Sequence, residues 1–98
     1  NWNDKSDIIL AQVKAFSPTP GAFTTINSKR LKIFKAESIN NDNNHKIGSI
    51  YRVDKNFFDV QCGKNALRLF NVQLERKKAM DSKDFIVGYQ DLGSNILV

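Results

Sequence analysis

The spacing of apolar residues near the start of the chain predicts an amphipathic helix over residues 4–16. Ile9, Val13 and Phe16 recur at intervals of four and three residues, which places them on one face of a helix. Ser6 is expected to cap the N-terminus of this helix. The helix should end before the two prolines that follow it, because proline removes a helix donor and biases the preceding residue toward extended geometry.

The middle of the chain has a pattern typical of β-strands. Leu31 and Ile33 alternate with Arg30 and Lys32, so one face of this strand is apolar and the other is cationic. Residues 40–46 contain no apolar residue and are rich in turn formers, which predicts an exposed, mobile loop. The five predicted strands are Ala22–Ile26, Arg30–Ser38, Gly48–Val53, Phe57–Gln61 and Ala66–Asn71.

A second, short helix is predicted near the end of the chain. Asp81 can cap it, Asp84 lies in its first turn, and Met80 can pack on Phe85. The helix is expected to end at about Gly88. The whole is a mainly β domain with an N-terminal and a short C-terminal helix, and five short strands favour a small five-stranded barrel.

Length and composition limit what such a domain can do. The chain has 98 residues, which suffices for one domain and not for a catalytic domain beside a substrate domain. Fifteen Lys and Arg against ten Asp and Glu give a net charge of +5, which favours polyanionic partners. A single cysteine excludes an internal disulfide, and no segment is long and apolar enough for a membrane span. We therefore expect an intracellular protein with no membrane partner.

Few residues could support catalysis. His45 is the only histidine and lies in the polar loop without companion metal ligands. Cys62 has Lys64 nearby but no histidine base, so a small residue at a strand end is the better interpretation. The positions of Asp81 and Asp84 are explained by the helix start. We predict no catalytic residue, no metal site and no cofactor in this domain.

The basic residues form two clusters. The first comprises Lys29, Arg30, Lys32 and Lys35, and the second comprises Arg76, Lys77 and Lys78. Such residues can contact phosphates and give nucleic acid a salt-dependent affinity that is largely independent of sequence. A solvated surface is the alternative, and the charge pattern alone does not separate the two.

Segments along essentially the whole chain resemble, in order and in spacing, the C-terminal domain of methionyl-tRNA formyltransferases. They are Trp2, Val13–Phe23, Leu31–Ala36, Cys62-Gly63, Ala66–Leu69, Val72-Gln73, Lys77–Met80, Asp84-Phe85 and Gly93. The resemblance identifies residues 1–98 as this domain and implies a barrel of the OB type. We expect the chain, which starts at Asn1, to be part of a longer protein whose Rossmann-like catalytic domain is absent here.

The resemblance also implies a function. Enzymes of this family use 10-formyltetrahydrofolate as co-substrate to formylate the methionine of initiator tRNA during translation initiation. Their catalytic residues lie in the other domain, so this fragment is expected to be inactive by itself. It would bind and position initiator methionyl-tRNA next to the catalytic domain of the same polypeptide, as a monomer, in the bacterial cytoplasm or in a eukaryotic organelle.

The resemblance carries some basic positions over to this chain. Lys32, Lys35, Lys77 and Lys78 match the family pattern, and Lys14 stands where an arginine is usual. Leu74–Arg76 replaces a stretch that contains Pro and Gly in the family. Position and charge add the remaining residues, and the predicted tRNA contacts are Lys14, Lys29, Arg30, Lys32, Lys35, Arg68, Arg76, Lys77 and Lys78.

Two other interpretations stay open. Sugar-nucleotide formyltransferases and formyltetrahydrofolate dehydrogenases have related C-terminal domains, in which a structural role needs no basic surface. An unrelated OB-fold module that binds nucleic acid in general is the third possibility. The net charge of +5 and the Lys77–Met80 segment favour the tRNA enzyme.

Overall fold

The computed structural model describes residues 1–98 as a six-stranded antiparallel sheet with two α-helices and one 3-10 turn. The strand order is β1-β2-β5-β4-β3, and β6 pairs with β5 on the same side as β4. Neither helix has the length and apolar composition that crossing a membrane requires. The elements are α1 (Ser6–Phe16), β1 (Ala22–Ile26), β2 (Lys29–Ile39), β3 (Ile50–Val53), β4 (Phe58–Gln61), β5 (Ala66–Leu74), β6 (Met80–Asp81) and α2 (Ser82–Gly88), followed by the turn Leu92–Ser94.

The mainly β class, the five predicted strands and both helices are confirmed, with shifts of a few residues at their ends. The paired strands form an open sheet, so the predicted closed barrel is not confirmed. Strand β6 was not predicted, because two residues are too few to produce a recognisable alternation.

The core forms where β5 lies between β2 on one side and β4 and β6 on the other. Leu67, Leu69 and Val72 of β5 are completely buried. The α1 helix packs on this core through Ile9 and Val13, as its apolar stripe predicted. Phe16 was predicted to join them, but it is 49% exposed. It is the last residue of α1 and lines an open groove beside the proline turn.

At the start of both helices, the side chain expected to cap the helix bonds instead to a residue outside the helix. Ser6 is the first helical residue and not the predicted cap, because Lys5 occupies that position without a capping side chain. The Ser6 hydroxyl instead exchanges a hydrogen bond with the hydroxyl of Ser38. Asp81 does occupy the N-cap position of α2, but its carboxylate accepts a hydrogen bond from Asn71 Nδ2 at 3.2 Å and makes none to the helix.

Both ends of the chain are attached to the sheet. Trp2 Nε1 donates to Thr24 Oγ1 at 2.9 Å, and this hydroxyl donates to the carbonyl of Val98 at 2.9 Å. The amide of Val98 donates to Thr25 on β1, and the amide of Ile50 on β3 donates to Asn95. The last four residues therefore connect the two edge strands of the open sheet.

The N-terminal segment approaches the β4–β5 turn closely enough to require a glycine there. A Cβ at Gly63 would overlap the carbonyl oxygen of Asn3. Gly63 N also donates to the carbonyl of Asp4 at 2.9 Å.

We expect Gly63→Ala to lower the free energy of unfolding by about 1–3 kcal/mol, because the backbone of Asn3 must move to admit the methyl group. The measurement is urea unfolding followed by the fluorescence of Trp2, the only tryptophan. Gly88→Ala is the control, since a Cβ at Gly88 meets no atom within 4 Å. Equal losses in both variants would contradict this account of Gly63.

Candidate nucleic-acid interface

The alternation of β2 exposes its basic residues on the outer face of the sheet, which is the face turned away from the core. Leu31 and Ile33 are buried, whereas Arg30 is exposed and Lys32 is half-buried. The strand starts after a tight turn in which Asn27 and its neighbour Ser28 have left-handed backbones, with φ of 48° and 66°. Two such residues are typical of the hairpin turn that matches the twist of paired strands.

The pairing of β2 with β5 brings the two basic clusters together. Lys32 lies opposite Gln73, and the Gln73 side chain donates from Nε2 to the carbonyl of Lys77 at 2.8 Å. On the next residues, the amide of Glu75 donates to the carbonyl of Arg30 at 2.8 Å, and the amide of Arg30 donates back to Glu75 Oε1. The turn after β5 therefore lies against the first half of β2.

We call the resulting surface the basic face. Its members come from β2 and from the turn after β5, and Glu75 is the acidic residue among them. None of its cations forms an ion pair. The basic face consists of Lys29, Arg30, Lys32, Arg76, Lys77 and Lys78.

Arg76 lies at the tip of the turn with a left-handed backbone. Its φ is 66°, and the amide of Lys77 donates to the carbonyl of Leu74 at 3.0 Å to close the turn. Glycine adopts this conformation without the steric cost that a Cβ imposes. An arginine here therefore adds a cation at some conformational cost, in the stretch where the resemblance leads one to expect Pro and Gly.

Three of the nine predicted contacts lie outside the basic face. Lys14 is exposed in the last turn of α1. Lys35 follows a register irregularity in β2 and lies opposite Asn71, whose amide group donates to Asp81. The third is Arg68, near the other end of β5.

Arg68 is engaged in a bidentate ion pair. Its Nε donates to Asp59 Oδ1 at 2.9 Å and its Nη2 donates to Asp59 Oδ2 at 3.1 Å. The hydrogen bond to this carboxylate raises the pKa of Arg68 above its usual value. The guanidinium also lies 3.8 Å from the centre of the Phe57 ring. Asp59 is only 1% exposed, so two of the five guanidinium N–H donors already bind a buried carboxylate.

The outer face around Arg68 is consequently close to neutral. Glu37 and Asp59 lie opposite Arg68 on the two neighbouring strands, and Arg52 lies opposite Asp59. Arg52 also forms an ion pair with Asp54 at 3.4 Å. Charges of alternating sign thus cross four strands, and the sequence did not reveal this arrangement because the residues come from separate strands.

The Asn-rich loop is exposed as predicted, but its side chains attach it to the sheet. Asn41 Nδ2 donates to Gln61 Oε1 at 2.7 Å, and Asn43 Oδ1 accepts from the amide of Asn65 at 2.6 Å. His45 was expected to be simply solvated, and its ring stacks on Tyr51 with 4.0 Å between the ring centres. Because these contacts attach the loop to the sheet, we expect it to be less mobile than its composition predicts.

Cys62 is a structural residue. Its side chain is 1% exposed, and burial raises the pKa of the thiol to about 12. The thiol is therefore protonated at neutral pH and a poor nucleophile. The prediction of a small residue at a strand end is confirmed.

Removal of the Arg68 side chain should mainly lower the stability of the fold, because this side chain pairs with a buried carboxylate. We expect Arg68→Ala to lower the free energy of unfolding by about 3 kcal/mol, since it leaves the buried Asp59 carboxylate without a partner. Arg52→Ala is the matched control, and the loss of its exposed pair with Asp54 should cost about 0.5 kcal/mol or less. Urea unfolding of the two variants checks this, and similar losses would argue against a structural role specific to Arg68.

Comparison with known proteins identifies the family of this chain. Residues 1–90 match the family described as formyl transferase, C-terminal domain. The methionyl-tRNA formyltransferase of Agathobacter rectalis is 36% identical over 88 residues, which cover 90% of this chain and 28% of that protein. The enzyme of the same name from Syntrophomonas wolfei is 33% identical over 89 residues, 91% of this chain and 28% of the relative.

A third relative extends the match to the end of the chain. The methionyl-tRNA formyltransferase of Orientia tsutsugamushi is 30% identical over 97 residues, which cover 99% of this chain and 32% of the relative. The chain thus spans about a third or less of the length of these relatives. It belongs to the family of formyl transferase C-terminal domains, as its resemblance to the methionyl-tRNA enzymes predicted.

Proposed function

We propose that this chain is the tRNA-binding C-terminal domain of a methionyl-tRNA formyltransferase. The observation that supports this most is the basic face, in which strand pairing joins two clusters separated by more than forty residues in the sequence. The names of the three relatives agree with this assignment.

The basic face would bind the phosphate backbone of initiator methionyl-tRNA. Because its cations are not neutralised by ion pairs, each one can replace a counterion condensed on the RNA. Phosphate contacts position a nucleic acid without reading its sequence. The domain would therefore orient the tRNA so that its methionine reaches the catalytic domain of the same polypeptide.

The rest of the proposal concerns the whole enzyme. The catalytic domain would transfer the formyl group of 10-formyltetrahydrofolate to the amino group of methionine during translation initiation, in the bacterial cytoplasm. This domain would contribute no catalytic residue. We further propose that it is an OB-like barrel, in which the last four residues complete the ring between β1 and β3, and that the protein acts as a monomer.

Two lysines of the turn after β5 provide the first test. We expect the double variant Lys77→Ala, Lys78→Ala to bind initiator tRNA about tenfold more weakly at moderate salt. The slope of log K against log salt should become shallower by about 1 for each lysine, as lost phosphate contacts require. The measurement is a titration of labelled tRNA at several salt concentrations.

The control has the same change of charge at another place. Lys46 and Lys55 are both exposed and lie outside the basic face, so the variant Lys46→Ala, Lys55→Ala should keep most of the wild-type slope. If both double variants lose the same slope, net charge and not the basic face determines binding, and the assignment of these lysines is wrong.

The same titration separates the other interpretations. A structural domain of a sugar-nucleotide formyltransferase or of a formyltetrahydrofolate dehydrogenase should show no tRNA affinity beyond that of the net charge. A general nucleic-acid module should prefer single strands to tRNA in a competition experiment.

A further inference from the structure

Two aromatic rings lie exposed beside the basic face. Phe23 of β1 is 58% exposed, and Phe16 at the end of α1 is 49% exposed. Together with Pro20 and Gly21 they line an open groove of about 300 Å³, a volume at the lower end of the range that holds small ligands. Neither ring belongs to the buried core cluster.

Two cations of the basic face lie beside Phe23, one of the two rings that line this groove. Lys32 lies directly opposite Phe23 in the β1–β2 pair. Arg30 lies two pairs further along the hairpin, opposite Thr25, and its guanidinium carbon is 4.4 Å from the centre of the Phe23 ring. The groove itself is lined by no acidic side chain. An aromatic surface and two cations that are not ion-paired thus lie within one hairpin.

This combination favours a particular occupant. A nucleobase presents a flat π face that stacks on an aromatic ring, and the phosphate attached to it needs a cation nearby. An apolar protein segment would satisfy the rings but would leave Arg30 and Lys32 without a partner for their charge. A fully paired RNA would satisfy the cations but would keep its bases inside the helix.

We propose that Phe23, with Arg30 on its ring and Phe16 across the groove, is a stacking site for one unpaired nucleobase of the bound RNA. This rests on the proposed function, because the basic face would hold the phosphates on either side of that base. The domain would then recognise RNA at a junction between a paired stem and an unpaired nucleotide. The lysines would supply the affinity that depends on salt, and Phe23 would supply an affinity that does not.

The test compares two RNAs and two variants of this chain. The RNAs are a fully paired hairpin and the same hairpin with a short unpaired 3′ overhang. We expect Phe23→Leu, which keeps an apolar side chain and removes the π face, to bind the overhang RNA about tenfold more weakly, as loss of one base stack implies. Binding of the paired hairpin and the salt slope for both RNAs should stay as in the wild type.

Val87→Ala serves as control, since Val87 is an exposed apolar residue on α2, 86% exposed and outside the groove. It should leave both affinities unchanged. A wild-type salt slope with no effect of Phe23→Leu, or with equal losses on the two RNAs, would overturn the stacking site and leave the proposed function standing. If the wild type binds neither RNA in a salt-dependent way, both proposals fail.

A second arm tests whether protein fills the groove instead. Fluorophenylalanine at position 23 should give a 19F resonance that shifts when the overhang RNA is added to the full-length enzyme and does not shift with the paired hairpin. A resonance that differs between this chain and the full-length enzyme, and then ignores both RNAs, would assign the groove to contact between domains and would overturn the proposal.

Discussion

The structure depends on the burial of β5 between neighbours on both of its edges. Strand β5 pairs with β2 along nearly its whole length, with β4 at its start and with β6 near its end. Leu67, Leu69 and Val72 are removed from water, and burial of such side chains is the main favourable term in folding. The pairing register of β5 then decides which outward residues of β2 and β4 lie beside each outward residue of β5.

That register divides the outer face into two electrostatic regions. At one end of β5, Arg68 and Arg52 alternate across the strands with Glu37 and Asp59, and these four charges cancel. At the other end the chain turns back toward Arg30 and Lys32, so the two basic clusters meet there beside Glu75. Two basic clusters that are far apart in the sequence are therefore brought together at one end of the sheet, where we propose that the tRNA binds.

Sequence reasoning succeeded for elements whose signal is local. The period of α1, the alternation in β2 and the turn formers between strands were sufficient to predict helices and strands close to their observed bounds. It failed where a residue distant in the sequence is the hydrogen-bond or ion-pair partner. Ser6 bonds to Ser38 and not to its own helix, and Asp59, which sequence analysis did not single out, pairs with Arg68. Phe16 has the spacing of a core residue but lies where the helix ends, beside an open groove.

The sequence by itself determined the mainly β class, the family resemblance and the two clusters of basic residues, because each depends on residues that are close together or on motifs in order. Only the tertiary structure decided that these clusters form one face, that Arg68 is engaged by a buried carboxylate and that Phe23 is exposed beside Arg30. The physical reason is that cross-strand neighbours are fixed by the register of the sheet, and the burial of whole strands sets that register.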